Sequence, residues 1–213
     1  MRRLLARPAR LTRAQILTGK TLVHLILAGL LTFQFFLGAS NQLGADPVEA
    51  LINFTGLNAV HLLFITLLVS PAARHLPCGD IMRYRRLLGI YTFVYALSHL
   101  LVYILFELQQ DWSLLASEIT ERPYIIVGLC ALLILTALTV TSFESLRKKM
   151  GRRWQSLHNL IYICMPLVLL HYSWSQKTII AEPLVYWALA ALVLLPRKDK
   201  IRSWFAFSKT RRR

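Results

Sequence analysis

The sequence contains few acidic residues and few cysteines, and both features limit the classes of protein to which it can belong. Asp and Glu number 10 against 25 Lys and Arg, in a chain that is 56% hydrophobic with a mean hydropathy of +0.51. A basic chain this apolar is typical of a membrane protein rather than a soluble domain. The three cysteines, Cys78, Cys130 and Cys164, lie in apolar segments or a short loop, so they do not suggest a disulfide framework.

Several cofactor and nucleic-acid motifs are also missing. The sequence has no Gly-rich strand-to-helix turn, so we expect no nucleotide-binding domain and no oxidation of NAD(P)H by this chain alone. It has no Cys-x-x-Cys-His motif, so any haem would be bound non-covalently. The basic residues come without a zinc-finger, helix-turn-helix or RNA-binding signature, which argues against nucleic acid as a partner.

What the sequence does contain is a series of apolar runs near membrane-spanning length. About 20 apolar residues in a helix cross a hydrocarbon core about 30 Å thick. Six runs approach this length, at residues 17–37, 54–70, 87–106, 124–143, 157–174 and 179–195. We therefore predict an all-α integral membrane protein with six transmembrane helices, forming a single transmembrane domain over residues 1–213 without a soluble domain.

The basic residues between the runs predict the orientation. Apart from Arg122 and Lys177, every Lys and Arg lies in the N-terminal segment up to Lys20 at the start of the first run, in residues 71–86, in residues 144–153 or at the C-terminal end. Cytoplasmic loops of membrane proteins carry the excess of Lys and Arg. Both termini are therefore predicted to be cytoplasmic.

Three histidines lie in the third and fifth runs at depths that suit a haem. At about 1.5 Å per helical residue, His158 lies about 8 Å and His171 about 27 Å beyond Arg153. His99 lies about 20 Å beyond Arg86, so its depth is closer to that of His171. Two axial imidazoles between hydrophobic walls are how a b-type haem is held for electron transfer. We predict His99, His171 and His158 as ligands of haem iron.

Whether the chain holds one haem or two stays open. A second, inner haem needs a ligand opposite His158, and the third run has no further histidine. His24 in the first run is the alternative ligand, and His61 in the second run is a weaker one. Four arginines are predicted to contact haem propionates: Arg85, Arg86, Arg152 and Arg153. His75 is expected to be solvated in a loop, and the two halves of the sequence show no internal repeat.

Three short segments resemble a known family. They are RRLLG at 85–89, GRRWQSLHN at 151–159 and HYSW at 171–174. Together with the GADP loop at 44–47, they resemble MsrQ (YedZ), the haem-binding membrane subunits of a bacterial system that repairs periplasmic methionine sulfoxide. More widely, they are similar to the ferric-reductase-type transmembrane domain. Members of that group with two haems carry two histidines on each ligand helix, whereas the third run here has only His99.

The resemblance implies an electron-transfer subunit in the bacterial inner membrane. It would take electrons from the quinone pool or from a cytosolic flavin reductase. It would pass them, within a heterodimer, to MsrP, a periplasmic molybdopterin reductase that carries out the chemistry on methionine sulfoxide. The family resemblance also implies FMN, for which no residues of this chain can be named.

Two other functions are compatible with buried histidines in a membrane protein. A free-standing cytochrome of the b561 type, using quinol or ascorbate, would not need the molybdoenzyme. A transporter or structural membrane protein would contain the histidines without any cofactor.

Overall fold

A computed structural model describes residues 10–176 and 181–210, apart from the side chains of 205–210, and every regular element in these ranges is helical. The α-helices are α1 (Arg13–Ala39), α2 (Pro47–His75), α3 (Arg85–Val102), α4 (Trp112–Glu121), α5 (Pro123–Val140), α6 (Glu144–Met150), α7 (Arg152–His158), α8 (Ile161–Ser175), α9 (Ala181–Leu194) and α10 (Lys198–Thr210). Short 3₁₀ turns precede α3 (Gly79–Tyr84) and α10 (Leu195–Arg197), and a π turn (Tyr103–Glu107) extends α3. The predicted all-α class is confirmed.

The membrane assignment is supported by helix length and composition. Among the described residues, four helical segments are long and apolar enough to span a membrane, at 13–39, 47–75, 79–107 and 123–140. The chain is therefore a helical, multi-pass membrane protein. Of the sixth predicted span, residues 179–180 lie outside the described residues, as does Lys177. The count of six spans and the cytoplasmic termini stay predictions.

The ends of α2 lie well outside the apolar run predicted at 54–70. Asp46 caps the helix, because its Oδ1 accepts the Glu49 N–H at 2.8 Å, and Pro47 occupies the first helical position. At the other end the helix continues past Pro71 to His75. Hydropathy detects only the apolar middle of a helix, whereas its capping residues decide where it begins.

The chain divides into two compact units, Met1–Leu115 and Ala116–Arg213, each with its own helix packing. In the first unit α2 packs against α3, and Tyr95 and Val102 of α3 are at most 1% exposed. In the second unit α5 packs against α8, and Met165 of α8 is completely buried. The single transmembrane domain inferred from the sequence stays a prediction.

Helix α1 is held by partly buried apolar residues, Leu27, Ala28 and Leu31, and by tyrosine hydroxyl groups. No residue of its most apolar 18-residue stretch is buried. Three tyrosines in or just before α3 lie with their hydroxyls near backbone carbonyls of α1: Tyr84 at 3.4 Å from Ile16, Tyr91 at 3.2 Å from His24 and Tyr95 at 2.8 Å from Leu27. Membrane helices associate through packing and hydrogen bonds, because lipid removes the hydrophobic drive between them.

The fifth predicted span is not one continuous helix. Helix α7 ends at His158 and α8 begins at Ile161, with a turn in which the Tyr162 N–H donates to the Asn159 carbonyl at 3.0 Å. The Asn159 side chain, in turn, accepts a bond from Gln155 at 2.9 Å. Pro166 cannot donate to the carbonyl four residues earlier, which weakens the first turn of α8. These features place an interruption where the apolar pattern predicts a single span.

Candidate functional site

His99 lies near the C-terminal end of α3 and is oriented by the backbone of α2. Its Nδ1 is 3.0 Å from the carbonyl oxygen of Ile52. A carbonyl oxygen only accepts hydrogen bonds, so Nδ1 carries the proton and the basic lone pair is on Nε2. Histidines that bind metals through one ring nitrogen commonly donate the other N–H to a carbonyl in this way.

Gly56 lets the His99 ring lie directly against α2. A Cβ atom at this position would be 2.9 Å from His99 Nδ1 and 3.1 Å from its Cε1. A side chain at residue 56 would therefore push the imidazole away from the Ile52 carbonyl. The glycine and the carbonyl together form a cradle that sets both the position and the tautomer of this histidine.

His171 has the same kind of cradle in the second unit. Its Nδ1 is 2.8 Å from the carbonyl oxygen of Tyr124 on α5. A Cβ atom at Gly128 would lie 2.6 Å from Nδ1 and 2.8 Å from Cε1, closer than at Gly56. The tautomer is again the one with the proton on Nδ1 and the lone pair on Nε2.

The two cradles repeat in sequence spacing as well as in geometry. In each, the accepting carbonyl belongs to a residue 47 positions before the histidine. In each, the glycine lies one helical turn after that residue. The prediction that the two halves contain no internal repeat is wrong for this local geometry, because the arrangement around His99 recurs around His171. The equal spacing between glycine and histidine in the two halves is the sequence feature that could have revealed this repeat.

His158 is held differently, through its other ring nitrogen. Its Nε2 lies 3.0 Å from the hydroxyl oxygen of Thr141, and that oxygen is 2.6 Å from the Ala137 carbonyl. The hydroxyl donates its only proton to the Ala137 carbonyl, so toward His158 it acts as an acceptor. The imidazole therefore donates from Nε2. Trp154 stacks on the ring with centroids 4.0 Å apart. In this arrangement the lone pair of His158 is on Nδ1.

The remaining histidines occupy dissimilar places. His24 is exposed on α1, and its Nδ1 is 2.6 Å from the Tyr91 hydroxyl. His61 is partly buried on α2. His75 is exposed at the end of α2, as expected for a solvated residue.

The four predicted propionate-binding arginines lie at two helix starts. Arg85 and Arg86 begin α3, and Arg152 and Arg153 begin α7. Arg85 is half-buried and its Nη1 donates to Ser70 at 3.2 Å, whereas the other three are exposed.

A metal held only by protein side chains is not supported in the described part of the chain. No group of three His, Cys, Asp or Glu side chains there lies close enough to hold an ion. Haem iron needs fewer protein ligands than a bare metal ion, because the porphyrin supplies four of its ligands and the chain supplies only the axial ones. The cradled histidines fit that requirement.

Comparisons with known proteins agree with this pattern. Residues 55–169 match the family described as ferric reductase like transmembrane component. A protein of Salmonella arizonae named protein-methionine-sulfoxide reductase heme-binding subunit MsrQ is 43% identical over 92% of this chain and 98% of its own length. A protein of the same name from Salmonella paratyphi B is 43% identical over 92% of this chain and 99% of its own. No solved structure matches. The family match together with these relatives shows that the chain belongs to the MsrQ family within the ferric reductase-like transmembrane proteins.

Proposed function

We propose that this chain is the haem-binding membrane subunit of a bacterial protein-methionine-sulfoxide reductase. It would carry electrons outward across the inner membrane, with both termini in the cytoplasm. The acceptor would be a periplasmic molybdopterin reductase of the MsrP type, which repairs oxidised periplasmic proteins as the partner in a heterodimer. The observation that carries the proposal is the pair of matched cradles around His99 and His171.

His99 and His171 are each proposed as an axial ligand of a non-covalently bound b-type haem. The Nδ1 bonds to the carbonyls of Ile52 and Tyr124 hold each ring in the tautomer that offers Nε2 to iron. The bound haem supplies an iron that takes up and releases one electron at a time. The chain contributes the orientation of the two rings.

His158 is proposed as a third ligand whose use depends on its hydrogen bond to Thr141. Coordination through Nε2 would replace the 3.0 Å contact with the hydroxyl. An inner haem at His158 would make two haems in all, with His24 as the alternative ligand. The haem propionates would form ion pairs with the basic residues that begin α3 and α7: Arg85, Arg86, Arg152 and Arg153.

Electrons are proposed to enter from the quinone pool or from a cytosolic flavin reductase. A basic cytoplasmic side favours an acidic soluble donor, and a membrane-embedded chain is accessible to quinol. No contact among the described residues favours an FMN site, so the proposal does not include one.

The test is haem stoichiometry in purified full-length protein. Haem per chain is measured as the pyridine haemochrome for the wild type and for alanine variants of His24, His99, His158 and His171. His99→Ala and His171→Ala should lose most of the haem, and His75→Ala serves as a matched control outside the site. Full haem content in both ligand variants would refute both ligand assignments. Colourless wild-type protein from haem-replete cells would refute the function as a whole.

A further inference from the structure

The start of α10 is basic at the point where the exposed apolar surface of α9 ends. Leu192 and Leu195, just before it, are 68% and 62% exposed. Residues 195–204 then contain four basic side chains and one acidic one: Arg197, Lys198, Lys200, Arg202 and Asp199. Exposed leucines followed directly by cations are typical of a chain that passes from the hydrocarbon of a bilayer to its head groups.

Two side-chain contacts show which part of the chain lies beside α10. The Trp204 Nε1–H donates to the Ser156 hydroxyl oxygen at 3.1 Å. The Lys200 ammonium lies 5.8 Å from the centre of the Tyr162 ring. Residues 200–204 therefore lie alongside residues 156–162, which comprise the end of α7 and the start of α8.

This level is also where the apolar helix α5 ends. The last residue of α5 is Val140, and the hydroxyl of the next residue, Thr141, lies 3.0 Å from His158 of α7. The basic start of α10 is therefore level with the end of an apolar membrane helix. Lysine and arginine at this depth extend their charged groups to the membrane interface while their stems stay on apolar surface.

Lys198 and Arg202 lie on the exposed side of α10. Ile201 and Trp204 are partly buried, whereas Lys198 and Arg202 are exposed. Leu195 and Lys198 are three residues apart across a 3₁₀ turn, and Arg202 follows four residues later in the α-helix, so the three share one face. Among the side chains that the structure describes, neither cation belongs to an ion pair. Both charges are accessible to a ligand outside the chain.

We propose that Lys198 and Arg202 bind the phosphate of an anionic phospholipid in the cytoplasmic leaflet, with Leu192 and Leu195 against its acyl chains. The inference goes beyond the proposed function and rests on it only for the cytoplasmic position of α10. Basic residues directly after a membrane helix attract anionic lipids. The exposed leucines in line with the cations favour a lipid over an acidic soluble protein, because a soluble protein does not contact side chains surrounded by hydrocarbon.

The experiment uses full-length protein in phosphatidylcholine nanodiscs that contain a small fraction of photoreactive lipid. The probes are phosphatidylglycerol and phosphatidylcholine with the same diazirine-bearing acyl chain, and cross-linked residues are mapped by mass spectrometry. The measured quantity is the ratio of phosphatidylglycerol to phosphatidylcholine cross-links at the exposed end of α9 and the start of α10.

The test variant carries Lys198→Gln together with Arg202→Gln. A matched control carries Arg74→Gln together with Lys149→Gln, which removes the same net charge from exposed positions near the ends of α2 and α6. A second control, Lys198→Arg with Arg202→Lys, keeps both charges in place.

The wild-type protein should favour phosphatidylglycerol about thirtyfold, the factor for two cations near an anionic lipid, and the test variant should bring the ratio to about one. Both controls should keep the wild-type ratio. Because the attraction is electrostatic, the wild-type ratio should also fall between about 0.1 M and about 1 M salt.

A wild-type ratio near one would overturn the site. Equal loss of the preference in the Arg74→Gln and Lys149→Gln control would also overturn it, by making the preference an effect of net charge. A ratio near one, with slower reduction of the test variant by a cytosolic flavin reductase, would assign this surface to an acidic protein instead. Haem content is measured in parallel: colourless protein that keeps the lipid preference would refute the proposed function and leave the lipid site standing.

Discussion

Substitution of Gly128 by alanine should displace His171 more than alanine at Gly56 displaces His99. The new Cβ would meet the His171 ring at 2.6, 2.8 and 3.2 Å from Nδ1, Cε1 and Cγ, whereas non-bonded atoms prefer about 3.5–4.0 Å. The ring must therefore move by most of an ångström. That movement breaks the 2.8 Å bond to the Tyr124 carbonyl, which fixes the tautomer.

The expected loss of haem affinity follows from the role of hydrogen bonds that orient a metal-binding histidine. Loss of a partner that orients a metal-binding histidine typically costs 10–100-fold in affinity. Gly128→Ala should raise the haem Kd by about that factor, equivalent to about 1.4–2.7 kcal/mol. Gly56→Ala should have a smaller effect, because its Cβ would lie 2.9 Å from His99 Nδ1, and about 0.6 Å of movement restores an ordinary contact there.

Two glycines provide matched controls. A Cβ at Gly29 meets nothing within 4 Å, and one at Gly89 meets only the Thr66 methyl at 3.7 Å. Alanine at either position should leave haem binding unchanged and gain about 0.5–1 kcal/mol of helix stability. The assay is haem titration of the apoprotein, with the low-spin absorption and electron paramagnetic resonance spectra as independent readouts. A Gly128→Ala protein with wild-type Kd and spectra would refute the cradle as the element that positions His171.

Three further predictions follow from contacts outside the cradles. Thr141→Val removes the hydroxyl that accepts from His158 Nε2, and should lower apoprotein stability by about 1–2 kcal/mol in thermal melts, without loss of haem bound at His99 or His171. Tyr95→Phe removes the 2.8 Å bond to a carbonyl of α1 and should speed amide hydrogen exchange in α1 but not in α5, at a cost of about 0.6–1 kcal/mol. Hydrogen bonds from the Ser113 hydroxyl and, to a smaller extent, from backbone N–H groups of α4 lower the pKa of Asp111. The stability that Asp111 gives to α4 is therefore full above about pH 4 and is lost as the pH falls through the lowered pKa. The protection factors of the α4 amides, which correct for the intrinsic pH dependence of exchange, should therefore fall on acidification in the wild type, and Asp111→Asn should abolish that fall.

The class of the protein could be predicted from the sequence because hydropathy is a property of side chains. Apolar runs near 20 residues and the scarcity of acid are enough to indicate a helical membrane protein. The helix ends are set by local bonds instead, such as the Asp46 cap that starts α2 before its apolar run. The turn at Asn159 is another case, because a short polar residue within an apolar run does not reveal which backbone groups it will pair with.

The candidate histidines were also predictable, but their orientation was not. Both cradles use a backbone carbonyl, which every residue has, so Ile52 and Tyr124 leave no trace in residue type. Only the glycines are visible in the sequence, and a helical glycine has many explanations. The spacing of Gly56 from His99 gains meaning when the same spacing recurs at His171.

The choice of ring nitrogen separates the three predicted ligands more sharply than their depth does. The Nδ1 bonds of His99 and His171 fix the tautomer with the lone pair on Nε2, whereas His158 donates from Nε2 to Thr141. Binding iron through Nε2 would therefore require His158 to give up the bond to Thr141, worth about 0.5–1.5 kcal/mol or about two- to twelvefold in affinity, and to take the other tautomer. We expect haem to bind more weakly at His158 than at His99 or His171.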